Sequence, residues 1–64
     1  MDIPEILEIE DERIHKTMTF KFVKQVNENL LLYENEKTGC KQCFDIKDFV
    51  KLEDKKRYKL KYEY

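Results

Sequence analysis

Two cysteines, Cys40 and Cys43, are separated by two residues in the run Cys40-Lys41-Gln42-Cys43. They are the side chains best suited to hold a metal or exchange electrons. A thiolate pair at this spacing can grip one zinc ion from a turn, but structural zinc takes four ligands. The chain has one such pair, and His15 is its sole histidine. An intramolecular zinc site would therefore need an acidic ligand, and a Cys₄ site would need a second copy of the chain. A redox role needs the first cysteine at a helix N-terminus, where its pKa falls. Here the pair follows Gly39 and enters an apparent strand, in which residues three apart face opposite sides. The plain expectation is one buried cysteine, one incidental one and no cofactor. A zinc-stabilised dimeric module on Cys40 and Cys43 is the alternative.

The second constellation lies at the C-terminal end. Lys55, Lys56, Arg57, Lys59 and Lys61 are interleaved with Tyr58 and Tyr62, as in a platform for single-stranded nucleic acid, where cations meet phosphates and aromatic rings stack on bases. Strict alternation, however, puts tyrosines and cations on opposite faces. Residues 1–12 carry six acidic groups and no basic one. Pairing Glu8 and Glu10 with Lys59 and Lys61 across a sheet satisfies both segments and turns Tyr58, Leu60 and Tyr62 into core. The acidic segment could instead dock a basic partner, but a net charge of −1 steers weakly at long range. His15 falls on the polar side of its strand with no assignable nucleophile or acid beside it. A single glycine rules out a glycine-rich phosphate loop. Catalysis is not expected.

These residues must be positioned by strands. Ile3, Leu7 and Ile9 alternate with Glu8 and Glu10, which favours a strand over a helix at 3–10. Ile14, Met18, Phe20, Phe22 and Val26 share one parity, and His15, Thr17, Thr19, Lys21 and Gln25 the other. A strand over 14–26 is long enough to require a bend or a bulge, and Asp11-Glu12-Arg13 precedes it as a turn. Asn27-Glu28-Asn29 is a tight turn, with Asn suited to the left-handed conformation. Leu30–Glu34 and Cys40–Asp45 form a hairpin around Asn35–Gly39. A five-residue loop sets Leu30 opposite Phe44, and a four-residue loop sets Leu31 opposite Phe44 and Glu34 opposite Lys41. The two registers bury opposite sides of the strand. Arg57–Tyr64 alternates strictly and forms the last strand.

Between these strands, Ile46, Phe49, Val50 and Glu53 fit the i, i+3, i+4, i+7 spacing of a helix, with Asp45 as N-cap. The same stretch, Asp48-Phe49-Val50-Lys51-Leu52, resembles the end of SH3-like barrels. There a short 3₁₀ turn ending in an aromatic leads into a final Val-x-Leu strand. The resemblance spans residues 45–53 and implies the barrel only. The acidic-aromatic motif and paired tryptophans of the polyproline-binding members are missing.

Sixty-four residues make one domain with a core near the stability threshold. Charged residues are 42% of the chain, a level that leans towards disorder, but the near-zero net charge and eight Phe or Tyr residues favour a folded domain with a charged exterior. No window approaches the roughly 18 apolar residues of a membrane span. The acidic N-terminus is unlike a signal peptide. A cytoplasmic location with reduced thiols is expected. Lys outnumbers Arg eleven to two, and Ala, Ser and Trp are absent. That skew suits an AT-rich bacterium, phage or plasmid.

The expected fold is mainly β, a five-stranded antiparallel meander or SH3-like barrel with a short helical turn near 45–49. The runner-up is a sheet with one full helix at 45–54. The expected function is a small non-enzymatic protein-interaction module, such as an inhibitor or accessory factor of a mobile element, acting on a protein partner or by self-association. A single-strand-binding barrel is the alternative already described. Leu30–Tyr33 carries apolar groups on both faces, which a sheet with one wet face does not need. The candidate contact residues are Leu31 and Tyr33 from that strand and Tyr58, Lys59, Lys61 and Tyr62 from the last.

Overall fold

Alternation governs the sheet. The computed structural model describes residues 3–64. Five antiparallel strands, β1 (Ile6–Asp11), β2 (Lys16–Gln25), β3 (Leu30–Asn35), β4 (Lys41–Asp45) and β5 (Tyr58–Glu63), form one sheet in the order β4-β3-β2-β1-β5. The helix α1 (Ile46–Asp54) lies between β4 and β5 in the chain and packs against both. The first four strands are a meander, and the last returns to the far side of β1. The sheet is not closed into a barrel; β4 and β5 are its two edges.

The core forms on one face because apolar residues of one parity meet there. Leu7, Ile9, Phe20, Leu31, Tyr33 and Phe44 are buried, and Phe22, Ile46, Phe49, Leu52, Tyr58, Leu60 and Tyr62 pack around them. Aromatic edges interlock: Phe20 and Phe44 stand 5.3 Å apart, Tyr33 and Phe44 5.7 Å, and Phe49 and Tyr62 6.1 Å. The β3–β4 register pairs Leu31 with Phe44 and Glu34 with Lys41, the register of the four-residue loop. Gly39 at φ 75° supplies the left-handed turn residue. The Asn35 side chain accepts from Lys37 and Thr38 N–H at 2.9 and 3.1 Å.

In β2 and its flanking turns two expectations are corrected, and the bulge is found. The strand starts at Lys16, because Glu12–His15 form the turn and His15 adopts φ 53°. The Asp11 carboxylate accepts from Arg13 N–H at 3.0 Å and holds that turn closed. The anticipated bulge falls between Phe22 and Lys24. It inserts Val23 and reverses the parity beyond, so Lys24 faces outward opposite Leu32 and Gln25 lies opposite Leu31. At Asn27–Asn29 the turn is held by the Asn27 side chain, which accepts from Asn29 and Leu30 N–H at 2.8 and 3.0 Å. Left-handed asparagine is not the device used.

The helical turn expected near 45–49 is the start of a nine-residue helix, which matches the full helix of the runner-up reading at 45–54. Asp45 accepts from Lys47 N–H at 2.8 Å, and the Asp48 carboxylate accepts from Asp45 N–H at 2.9 Å. This reciprocal capping commits the chain to a helix. Val50 and Leu52, assigned to a final strand by the SH3-like resemblance, are both helical. Ile46, Phe49 and Leu52 face the core, while Val50 is 59% exposed.

Candidate functional site

Helix and sheet leave an apolar cleft where α1 crosses the end of β5. Pro4, Leu31, Ile46, Phe49, Val50, Tyr62 and Tyr64 enclose about 230 Å³. Each wall has a local cause. The capping at Asp45 starts α1 so that Ile46, Phe49 and Val50 fall on adjacent turns of one side. Strand parity places Tyr62 and Tyr64 together, with ring centroids 6.4 Å apart. The Tyr33 hydroxyl donates to the Pro4 carbonyl at 2.7 Å and fixes the N-terminal wall. Leu31, wholly buried, is the floor. Val50 and Tyr64, 59% and 69% exposed, form an apolar rim.

The polar groups around the cleft serve the fold. The Tyr62 hydroxyl donates to Glu53 Oε1 and ties β5 to α1. Burial, then Glu53, pushes the Tyr62 hydroxyl well above the usual tyrosine range. Burial and neighbouring Tyr64 push Tyr33 up to about 12. At the other end of the sheet, Arg57 grips Asp11 in a fork, Nε to Oδ1 and Oδ2 at 3.1 Å and Nη2 to Oδ2 at 2.8 Å. The Arg57 hydrogen bonds hold the Asp11 carboxyl below its ordinary value.

The sequence-derived candidates scatter. Leu31 and Tyr33 are core residues with no exposed surface. Leu31 and Tyr62 do meet in the cleft. Tyr58 and Tyr62 are half-buried on the core face, and Lys59 and Lys61 are exposed on the other. Glu8 lies opposite Lys61 and Glu10 opposite Lys59, the charge pairing that alternation suggested. Lys59 also bonds Glu12 at 3.2 Å. The strand alternation thus separates tyrosines from lysines and sets acids beside the lysines. Cys40 and Cys43 are both free and both exposed, correcting the expectation that one is buried. The outward side of β4 carries Cys43 opposite Leu32. No cluster of three or more potential metal ligands exists among the described residues.

A larger concavity, about 480 Å³, lies between the start of β2 and the β3–β4 loop. His15, Lys16, Thr17, Met18, Thr19, Asn35, Lys37 and Thr38 line it, with no carboxylate to orient the histidine. Pro4, Ile46, Phe49, Val50 and Tyr64 were absent from the sequence-derived contact set. Two signals could have pointed to them: the helical spacing of Ile46, Phe49 and Val50 behind a capping Asp45, and the shared parity of Tyr62 and Tyr64. Pro4 carries no such signal, since its place depends on a hydrogen bond from a residue 29 positions away.

Comparison with protein-family models, curated proteins and solved structures finds no match to this chain. Among the described residues, no helix is long and apolar enough to cross a membrane.

Proposed function

We propose that the chain is a small non-enzymatic protein-interaction module whose cleft between α1 and β5 receives an apolar side chain of a protein partner. One observation carries this reading: Val50 and Tyr64 stand exposed at the rim of a cleft whose walls and floor are apolar or aromatic. Exposed apolar side chains beside an apolar cleft suit a protein contact, in which aromatic anchors dominate the energetics. The groups with displaced proton affinity, Asp11, Arg57, Tyr33 and Tyr62, are accounted for by an ion pair and by burial in the fold, which favours binding over catalysis. The acids beside Lys59 and Lys61 favour a protein partner over single-stranded nucleic acid. We further propose a bacterial, phage or plasmid source, which the lysine-rich, alanine-free composition suits, and a role there as a cytoplasmic accessory factor or inhibitor.

The test is a random-peptide selection against the protein, with counter-selection against Val50→Glu. Substitution at this exposed position leaves the melting temperature close to wild type. Enriched peptides carrying a large apolar residue, bound at least tenfold more weakly by Val50→Glu, are expected. Peptides that bind both proteins equally would refute the cleft as the contact site.

A further inference from the structure

We propose that a second copy of this chain docks on the β4 edge, strand against strand about a two-fold axis through Cys43. This rests on a different surface from the cleft and does not depend on it.

The backbone leaves this edge open. Asn35 N–H donates to the Cys40 carbonyl at 2.7 Å, and Ile46 N–H to the Asn29 carbonyl at 3.0 Å. Antiparallel ladders alternate, so even-numbered residues of β4 bond to β3, and Lys41 and Cys43 direct their N–H and C=O groups outward. Residues 40–43 are all exposed, so no described residue covers them. Unpaired strand edges recruit other strands.

The sequence of the edge is complementary to itself. In an antiparallel pair centred on Cys43, Lys41 meets the partner's Asp45 and Asp45 meets the partner's Lys41. On the outer face this extends a row already present, Lys21, Glu34 and Lys41 on adjacent strands, so that signs alternate across the junction. The next row, Leu32 and Cys43, continues into the same pair of the second copy, so that the exposed Cys43 gains the partner's Cys43 as its neighbour. The opposite edge is complementary to itself only in the register centred on Tyr62, where Lys61 would meet Glu63. Glu12 N–H donates to the Arg57 carbonyl at 2.9 Å, which directs the backbone groups of Leu60 and Tyr62 outward. A self-pair centred on Leu60 sets Lys59 against Lys61 twice, a like-charge arrangement that protects edges.

The ladder is short, because Asp45 N–H is already taken by Asp48 at 2.9 Å and α1 begins there. Five residues a side fall well below a standard interface, so the dimer is weak, formed at roughly millimolar chain concentration.

The test is sedimentation velocity across a concentration series under reducing conditions, with a short bismaleimide as a cross-linker. The wild type dimerises at the top of the series. Cys40→Ser is cross-linked as dimer through Cys43, whose Cα atoms lie about 5.5 Å apart in such a pair, and Cys43→Ser is not. Lys41→Glu sets two carboxylates against Asp45 and weakens association by about tenfold, and Lys41→Gln does so by less. Adding Asp45→Asn, which keeps the helix cap, to Lys41→Glu recovers part of the loss. A monomer at every concentration, cross-linking through Cys40 in place of Cys43, or no response to Lys41→Glu and no recovery in the double variant would overturn the proposal.

Discussion

Replacing Tyr33 by Phe probes the bond that builds the N-terminal wall of the cleft. The ring keeps its place among Phe22, Phe44 and Phe49, so packing is nearly unchanged. The buried Pro4 carbonyl loses its donor, the Tyr33 hydroxyl at 2.7 Å. An unsatisfied buried acceptor costs about 1–3 kcal/mol, and each kcal/mol moves the Tm of a domain this size by about 4–8 °C. A fall of at least about 4 °C at pH 7 is expected. The pH dependence carries a second signature. Burial raises the Tyr33 hydroxyl from 10.0 to about 12, so the folded state favours the protonated phenol. That contribution is fully present below pH 10, where both states are protonated, and is lost as pH rises towards 12. For a wholly buried ring the loss is about 2–3 kcal/mol. Urea unfolding of both proteins from pH 8 to 11.5 isolates it, because other titrations are common to the pair. The stability gap should narrow above pH 10. A gap that stays constant, or no loss of Tm at pH 7, would refute the role given to this hydroxyl.

Asp45→Ala should destabilise the protein by about 1 kcal/mol through loss of the N-cap and reduce helical circular dichroism, while Asp45→Asn should stay near wild type. Leu31→Ala removes the cleft floor and a wholly buried side chain. Its cost of about 2–5 kcal/mol is comparable with the whole stability of so small a domain, so its amide spectrum should collapse to unfolded dispersion. For Asp11, the folded-state value is depressed by Arg57, so its contribution is present above about pH 3.8 and lost as pH falls through the lower folded value. Arg57→Gln should therefore flatten the fall of Tm between pH 4 and 2, and an unaltered acid limb would contradict the pairing.

Much of the fold was legible because strands announce themselves by alternation. Glu8 and Glu10 opposite Lys59 and Lys61 follow from parity and charge alone. The hairpin register was narrowed to two, since loop length is not written in side-chain type, and burial of Leu31 and Tyr33 selected one. Val50 was the hardest residue to place. Its sequence fits both a helix face and a final strand, and the capping by Asp45 and Asp48 decides between them. Asp11 reads as part of the turn before β2; only the fold brings Arg57, 46 positions away, onto it. Leu31 and Tyr33 were placed on a contact surface because an apolar excess shows that two faces are engaged without showing which face is covered. The cleft draws on the N-terminus, β3, α1 and β5 together, so no local pattern contains it.

The most direct test of the central claim is a ¹⁵N–¹H map of the protein titrated with the tightest peptide from the selection. Shifts concentrated at Phe49, Val50, Tyr62 and Tyr64, and abolished in Val50→Glu, are predicted. Shifts centred on the His15–Thr19 groove or on Lys59 and Lys61, with the cleft unmoved, would contradict it.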